Sequence, residues 1–424
     1  MENTKYRNRV IDSKIRNYLE VFGAVCIEGP KWCGKTWTSA FHSNSAVYIG
    51  DPEGAFQNRR LAEMDPSLIL DGPAPKLIDE WQDVPPIWDA VRYRVDQETQ
   101  PGRYILTGSA TPKHKGIKHS GAGRIAKIRM RPMSLYESGD SSGDVSLESL
   151  CDGEIKPVFT GDVSLQRIVD LIVRGGWPAN IGLSASKAKL LPQKYLEAVL
   201  EDDVFRLDRM NRDSAKMRLL LRSLVRNEST TVSHRKLKND IQTMEDKEID
   251  VEVVSTYLNI FDRLFLTDNL LPFAPNVRSS IRVKQMEKRQ LSDPSLACAL
   301  LKLTEKSMLH NLQAMGCLFE SLCTRDLKIY ADSFEAKVFH YQDYKGRELD
   351  VVIELQDGRW CGFEIKLGAN QIDQAAANLL LVKKEIESNG GFPPNMLCVI
   401  CGLSNAAYQR PDGVFVVPIT ALKP

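Results

Sequence analysis

The feature that most constrains this chain is the loop Gly29-Pro30-Lys31-Trp32-Cys33-Gly34-Lys35-Thr36. It lies between a short apolar run, GAVCI at 23–27, and the helix-like stretch WTSAFHS. The loop has the form GxxxxGK[ST] in strand–loop–helix order, the context a phosphate-cradling loop requires. Its glycines let the backbone wrap so that N–H groups face an anion, and the helix that follows adds its positive end. The spacing predicts that Lys35 reaches the β- and γ-phosphates of a nucleoside triphosphate and that the Thr36 hydroxyl ligates Mg²⁺. Gly29, Pro30, Lys31, Trp32, Cys33, Gly34 and Trp37 belong to the same expected ATP cradle.

A magnesium-dependent ATPase also needs carboxylates at the end of a neighbouring strand. Lys76-Leu77-Ile78-Asp79-Glu80 supplies them, with Asp79 43 residues after Thr36. Asp79 is expected to hold Mg²⁺ through water and Glu80 to polarise the attacking water. A third strand, Tyr104-Ile105-Leu106-Thr107-Gly108-Ser109, ends in hydroxyls suited to the γ-phosphate or the lytic water. Thr107 and Ser109 both qualify, and the sequence does not choose between them.

At 424 residues the chain exceeds what one hydrophobic core serves, which predicts two to three domains. The formal net charge is +1, so any DNA contact must be a local basic patch. No apolar run approaches the roughly 18 residues that span a bilayer, and the first residues lack the apolar core of a signal peptide. The nine cysteines are scattered, several inside apolar runs, as reduced buried thiols are. Cys398 and Cys401 form a lone CxxC within a strand-like run, with no second pair to make a metal site. Together these features predict a cytoplasmic protein with no membrane partner.

The series GPKWCGKT, LIDEWQ, YILTGSA, GAGRI and RMRPMSLYE, continued by RGGWPAN and YLEAVLEDDVFRL, resembles a prokaryotic family of AAA-type P-loop ATPases. Members of that family join the ATPase to a C-terminal domain of poorly defined function. The resemblance implies that Arg124, in GAGRI, is an arginine-finger candidate acting in cis or from a neighbouring copy, so self-association is an expected partner mode.

The fold class expected is α/β multidomain. A parallel-sheet ATPase at 1–145 leads into a helical lid or linker at 146–210. Amphipathic helices followed by strand-like LTDNLLPF and SSIRVKQM predict a winged-helix-like unit at 211–295. There His234, Arg235, Lys236 and Lys238, with Arg282, Lys284, Lys288 and Arg289 on the wing, are the expected DNA phosphate contacts. The competing reading is a solvated helix face that serves a protein partner.

Residues 296–424 carry a second constellation. A strand beginning near Asp350 and a turn at Asp357-Gly358 predict a hairpin whose second arm holds Glu364-Ile365-Lys366. In a strand, Glu364 and Lys366 share a face. The pattern is similar to the PD-(D/E)xK restriction-endonuclease-like superfamily. That resemblance implies metal ligation by Glu320, Asp350 and Glu364, a catalytic set of Asp350, Glu364 and Lys366, and Gln374 as an added polar residue. No proline precedes Asp350, a departure from the motif. The overall expectation is a Mg²⁺-dependent ATPase acting on DNA, with ATP state controlling a nuclease or nuclease-like domain. The alternative is a nucleotide switch with an inactive nuclease-like domain that binds a protein.

Overall fold

The computed structural model describes residues 6–98, 100–111, 117–204, 213–275 and 286–424. The first module runs α1 (Asp12–Val21), β1 (Ala24–Glu28), α2 (Lys35–Phe41), β2 (Ser45–Tyr48), α3 (Glu53–Met64), β3 (Lys76–Asp79), α4 (Pro86–Gln97), β4 (Tyr104–Gly108) and β5 (Ile125–Arg129). Its five strands are all parallel, in the order β2-β3-β4-β1-β5. Strands covered on both faces must be apolar nearly throughout, and β1 and β4 are. Cys26, Ile78 and Leu106 face Trp81 and Trp88, whereas Val25, Ile27 and Ile105 face Ile15 of α1. The parallel α/β sheet expected from the glycine loop is therefore present.

The chain continues through β6 (Val145–Ser146), α5 (Leu147–Cys151), β7 (Val158–Phe159), α6 (Leu165–Arg174) and α7 (Leu190–Ala198). Next come α8 (Ser214–Arg226), β8 (Thr230–Thr231), α9 (His234–Glu245), α10 (Val251–Arg263), β9 (Leu271–Pro272) and β10 (Lys288–Arg289). β8 pairs antiparallel with β10, and bridges Thr267–Leu291 and Leu270–Lys288 extend a ribbon. Its returning arm is 288–291, later than the expected SSIRVKQM, most of which lies outside the described residues.

The last module contains α11 (Leu312–Ser333), β11 (Lys337–Gln342), β12 (Glu348–Glu354), β13 (Trp360–Lys366), α12 (Ile372–Ser388), β14 (Met396–Cys401), β15 (Ala406–Gln409), β16 (Phe415–Pro418) and β17 (Leu422–Lys423). The mixed sheet has the order β7-β15-β16-β14-β13-β12-β11-β9. Val351, Ile353, Phe363 and Ile400 face α11, and Val352, Val399 and Val416 face α12. β7 and β9 thus come from the segments assigned to the lid and the middle unit, and β6 pairs with β17. Residues 146–159 therefore pack with the C-terminal module, and the two longer helices of the span expected as a lid, α6 and α7, follow them.

All nine cysteines are free, and Cys398 and Cys401 contribute to different cores on opposite faces of the sheet. Among the described residues no helix is long and apolar enough to cross a membrane.

Candidate functional site

The glycine loop leaves the C-terminal end of β1 and enters α2. A Cβ on Gly29 would lie 2.1 Å from the Met130 carbonyl oxygen, so the loop can pass β5 this closely only as glycine. Gly34 at φ 106° turns the chain into the helix in a conformation side chains disfavour. Lys35 is buried, and its ammonium donates to the carbonyls of Gly29 at 2.9 Å and Pro30 at 2.8 Å. Arg9 supports the loop from beneath. It donates to the carbonyls of Cys33 and Arg131, both at 2.8 Å, and pairs with Glu137 at 2.9 Å. Lys31 is tied to Asp203 at 2.5 Å, and half-exposed Trp32 leans on Tyr195 with ring centroids 5.7 Å apart. Pro30 and Cys33 complete the loop, and Trp37 is exposed on the first turn of α2.

Parallel pairing brings the ends of β3 and β4 beside this loop. The Thr36 hydroxyl donates to Asp79 Oδ1 at 2.9 Å, and Thr107 donates to the same oxygen at 2.7 Å. Thr107 also accepts the Glu80 backbone N–H at 3.0 Å, while Ser109 donates to Glu80 Oε2 at 2.6 Å. The two hydroxyls between which the sequence did not choose thus serve different carboxylates. Glu80 sits at φ 58°, a left-handed conformation rare for a side chain of this type, which turns its carboxylate away from Asp79's strand. Burial is the largest influence on Asp79 and raises its pKa despite the two donors.

Arg124 falls elsewhere. It precedes β5, whose first residue Ile125 pairs with Ala24 at the start of β1, whereas the loop leaves the far end after Glu28. At ~3.3 Å per residue those ends are about 13 Å apart. Its guanidinium pairs instead with Asp96 of α4 at 2.7 Å. Parallel pairing thus puts Arg124 at the opposite end of the sheet from the glycine loop.

The C-terminal hairpin forms as expected, β12 antiparallel to β13. Asp350 Oδ2 accepts the Ile365 N–H at 2.8 Å and the Lys366 ammonium at 3.4 Å, and Lys366 pairs with Glu364 at 2.6 Å. Glu320 arrives from α11, but what it meets is Lys288. Lys288 also lies 3.3 Å from Asp350 Oδ1 and 3.4 Å from the Asp350 carbonyl oxygen. Burial works to raise Asp350, but Lys288 and Lys366 outweigh it and hold the carboxyl below its usual range. Burial and then the Asp350 charge push Glu320 up to about 8 and Glu364 up to about 7. Among the described residues no three His, Cys, Asp or Glu side chains group as a ready metal-ligand set. The expected trio Glu320, Asp350 and Glu364 is interleaved with two ammonium groups instead.

Gln374 is exposed, and the amide that reaches the cluster is Asn378, one turn later on α12, which donates to Glu364 Oε1 at 2.7 Å. Lys288, expected on a wing facing phosphates, is buried at 6% exposure. The Arg289 guanidinium is held by Glu287 at 2.9 Å and His234 at 3.3 Å. Arg235 and Lys236 are exposed on the first turn of α9, Lys238 is half-buried, and Arg282 and Lys284 lie outside the described residues.

Two participants escaped the sequence reading, and a third, Lys288, was given another role. Gln82, which donates to Glu80 Oε2 and to Ser109 at 3.3 Å, stood in plain view two residues after the carboxylate. Asn378 sat one helical turn beyond the expected position. Lys288 meets Asp350 across 62 positions, a pairing no local pattern signals.

One further cluster joins the modules. Asp268, just before β9, pairs with Arg131 at 2.7 Å and Lys328 of α11 at 3.5 Å. Burial is again opposed and outweighed by these cations, leaving Asp268 far below the usual carboxylate range. α11 also binds the first module through Asp326 to the Leu135 N–H at 2.8 Å and Asp332 to Lys14 at 2.8 Å.

Comparison with known proteins accords with the first module. Residues 22–139 match the model of an AAA domain. Residues 165–307 match a domain of unknown function (DUF8612), and 315–422 match another (DUF4143). Uncharacterized proteins of Mycobacterium tuberculosis and Mycobacterium bovis are each 24% identical over 358 residues, 84% of this chain and 72% of theirs. A Walker-type ATPase of Pyrococcus abyssi aligns with 70% of this chain and 96% of its own at 12% identity and a TM-score of 0.41, too distant a likeness to carry the fold.

Proposed function

We propose that this chain is a Mg²⁺-dependent ATPase whose nucleotide state is passed to its C-terminal module. The observation that carries the reading is the relay at the ends of β1, β3 and β4, where Thr36 and Thr107 meet on Asp79 and Ser109 meets Glu80. A hydroxyl and a carboxylate in contact beside the loop are the donors Mg²⁺ takes when phosphates fill the rest of its shell. Thr36 and Asp79 would hold the ion, which neutralises charge on the β- and γ-phosphate oxygens. Lys35, withdrawn from its two carbonyls, binds the phosphates. Glu80 orients and polarises the water, with Ser109 and Gln82 fixing the carboxylate.

The route to the C-terminal module runs through α11, which carries Glu320 in its first half, touches the first module through Asp326 and Asp332, and reaches Arg131 by way of the Lys328–Asp268 pair. DNA is the proposed target, with the C-terminal module a PD-(D/E)xK-like domain and the 211–295 unit winged-helix-like. Support comes from the shared hairpin of Asp350, Glu364 and Lys366 and from exposed Arg235 and Lys236. The second reading, a nucleotide switch that binds a protein and cuts nothing, is favoured by the neutralisation of those acids by Lys288 and Lys366.

The test is phosphate release together with Mg²⁺-dependent cleavage of supercoiled, linear and branched DNA, with and without ATP, for wild type, Lys35→Ala and Asp350→Ala. Loss of phosphate release in Lys35→Ala is expected, and its persistence would remove the ATPase reading. Cleavage that Asp350→Ala abolishes supports the nuclease. ATP turnover without cleavage or DNA stimulation supports the protein switch. A role for Arg124 toward a neighbouring copy requires turnover per chain to rise with protein concentration.

A further inference from the structure

The expected metal ligands of the C-terminal cluster do not fit a metal as they stand, and the reason is a single side chain from another module. Lys288 belongs to β10 of the middle ribbon, where Leu270 and Thr231 pair with it. From there its side chain runs inward until only 7% is exposed. Its ammonium meets three oxygens: a carboxylate oxygen of Glu320, Oδ1 of Asp350 at 3.3 Å and the Asp350 carbonyl at 3.4 Å. Carboxylates from two elements together with a main-chain carbonyl are the oxygen set that hard divalent cations select. Here the set closes around a lysine. Lys366 is engaged on the other side, between Oδ2 of Asp350 and Glu364.

We infer that Lys288 is a tethered cation standing in the place of a divalent metal, so that the C-terminal cluster takes up no metal while the ribbon is seated. Charge decides this. A metal binds the deprotonated acids; counted in that state, Glu320, Asp350 and Glu364 with Lys288 and Lys366 carry one negative charge, and removing Lys288 leaves two. A buried carboxylate set that loses its counter-charge is strongly disfavoured, and a free divalent ion of the Mg²⁺ or Mn²⁺ type restores the balance. The inference concerns the acid cluster alone and does not rest on ATP hydrolysis.

The experiment is Mn²⁺ binding to the full nucleotide-free chain, followed by electron paramagnetic resonance and by the shift in thermal midpoint. The proteins are wild type, Asp350→Asn, Lys288→Ala and Lys288→Ala/Asp350→Asn. Wild type is expected to show no uptake that Asp350→Asn removes. Lys288→Ala gains one Mn²⁺ per chain and is stabilised by it, and the double variant loses both effects. Asp350-dependent uptake in wild type equal to that in Lys288→Ala would overturn the inference, as would a folded Lys288→Ala chain with no uptake. Should Lys288→Ala not fold unaided, Mn²⁺ in the refolding buffer restores native circular dichroism and NaCl of equal ionic strength does not. Failure of Mn²⁺ to restore it also overturns the inference.

Discussion

The two acid clusters of this chain have similar carboxylates and opposite company. Beside the glycine loop, Asp79 and Glu80 are met by Thr36, Thr107, Ser109 and Gln82, all neutral donors. In the C-terminal sheet, Asp350 and Glu364 are met by Lys288 and Lys366. Neutral donors orient a carboxylate and leave its charge to attract a cation, whereas an ammonium cancels it. Motif geometry alone therefore does not say whether an acid pair is open to a metal, and the counter-groups have to be read as well.

The largest effect that would break this contrast is on turnover. Glu80→Gln keeps the hydrogen-bonding shape but removes the charge, and kcat for ATP hydrolysis should fall by about 10²–10⁴-fold while ATP binding persists. An unchanged kcat would remove Glu80 from the water-polarising role. Next in size is a matched pair of substitutions read by chemical or thermal unfolding. Asp350→Asn takes away the carboxylate shared by buried Lys288 and half-buried Lys366, leaves each ammonium its glutamate, and should cost about 2 kcal/mol. Asp79→Asn still accepts from both hydroxyls, loses a charge that burial already disfavours, and should stay within about 1 kcal/mol of wild type. Equal losses would erase the distinction between the sites.

The hydroxyls allow a finer cut. Ser109→Ala should lower kcat about tenfold through Glu80, since it removes a single hydrogen bond to a charged group. Thr107→Val should act chiefly on the Mg²⁺ concentration needed for half-maximal rate. The reverse assignment would show that the two carboxylates exchange roles.

The smallest effect is on pH. In the folded chain Glu320 and Glu364 titrate near 8 and 7, above the ordinary glutamate value of about 4.3, so the folded state holds more protons through that interval. Their contribution to stability thus declines as pH rises through it. Asp350 has the opposite sign: its contribution is complete above about 4 and is lost as pH falls. The thermal midpoint should drop between about pH 5 and pH 8, and Glu320→Gln should flatten that drop.

What the sequence made legible follows from how local each signal was. The glycine loop, the LIDE strand end and the hydroxyl-ended strand are contiguous, and a parallel sheet brings the ends of adjacent strands together almost automatically. The D-turn-ExK hairpin was legible for the same reason, with Asp357-Gly358 closing it. The position of Arg124 was not legible, because sequence proximity to a strand says nothing about which end of the sheet the residue occupies. Lys288 and Asp268 were invisible in their roles, since their partners Asp350, Glu320, Arg131 and Lys328 lie tens to well over a hundred positions away. The boundaries near 146 and 295 were drawn from composition, which does not register that β7 and β9 are lent to a distant sheet.

That loan bears on how the chain is made. Both outer strands of the eight-stranded sheet, β7 and β9, are synthesised before any of the six between them. A nascent chain therefore carries the two rails of the sheet out of the ribosome first and fills the space between them last. A fragment beginning at α11 would leave β11 and β15 with open edges, the form of sheet most prone to recruit a neighbour. Such a fragment should aggregate at concentrations where the full chain stays dispersed, and residues 158–159 and 271–272 act as built-in guards against that fate.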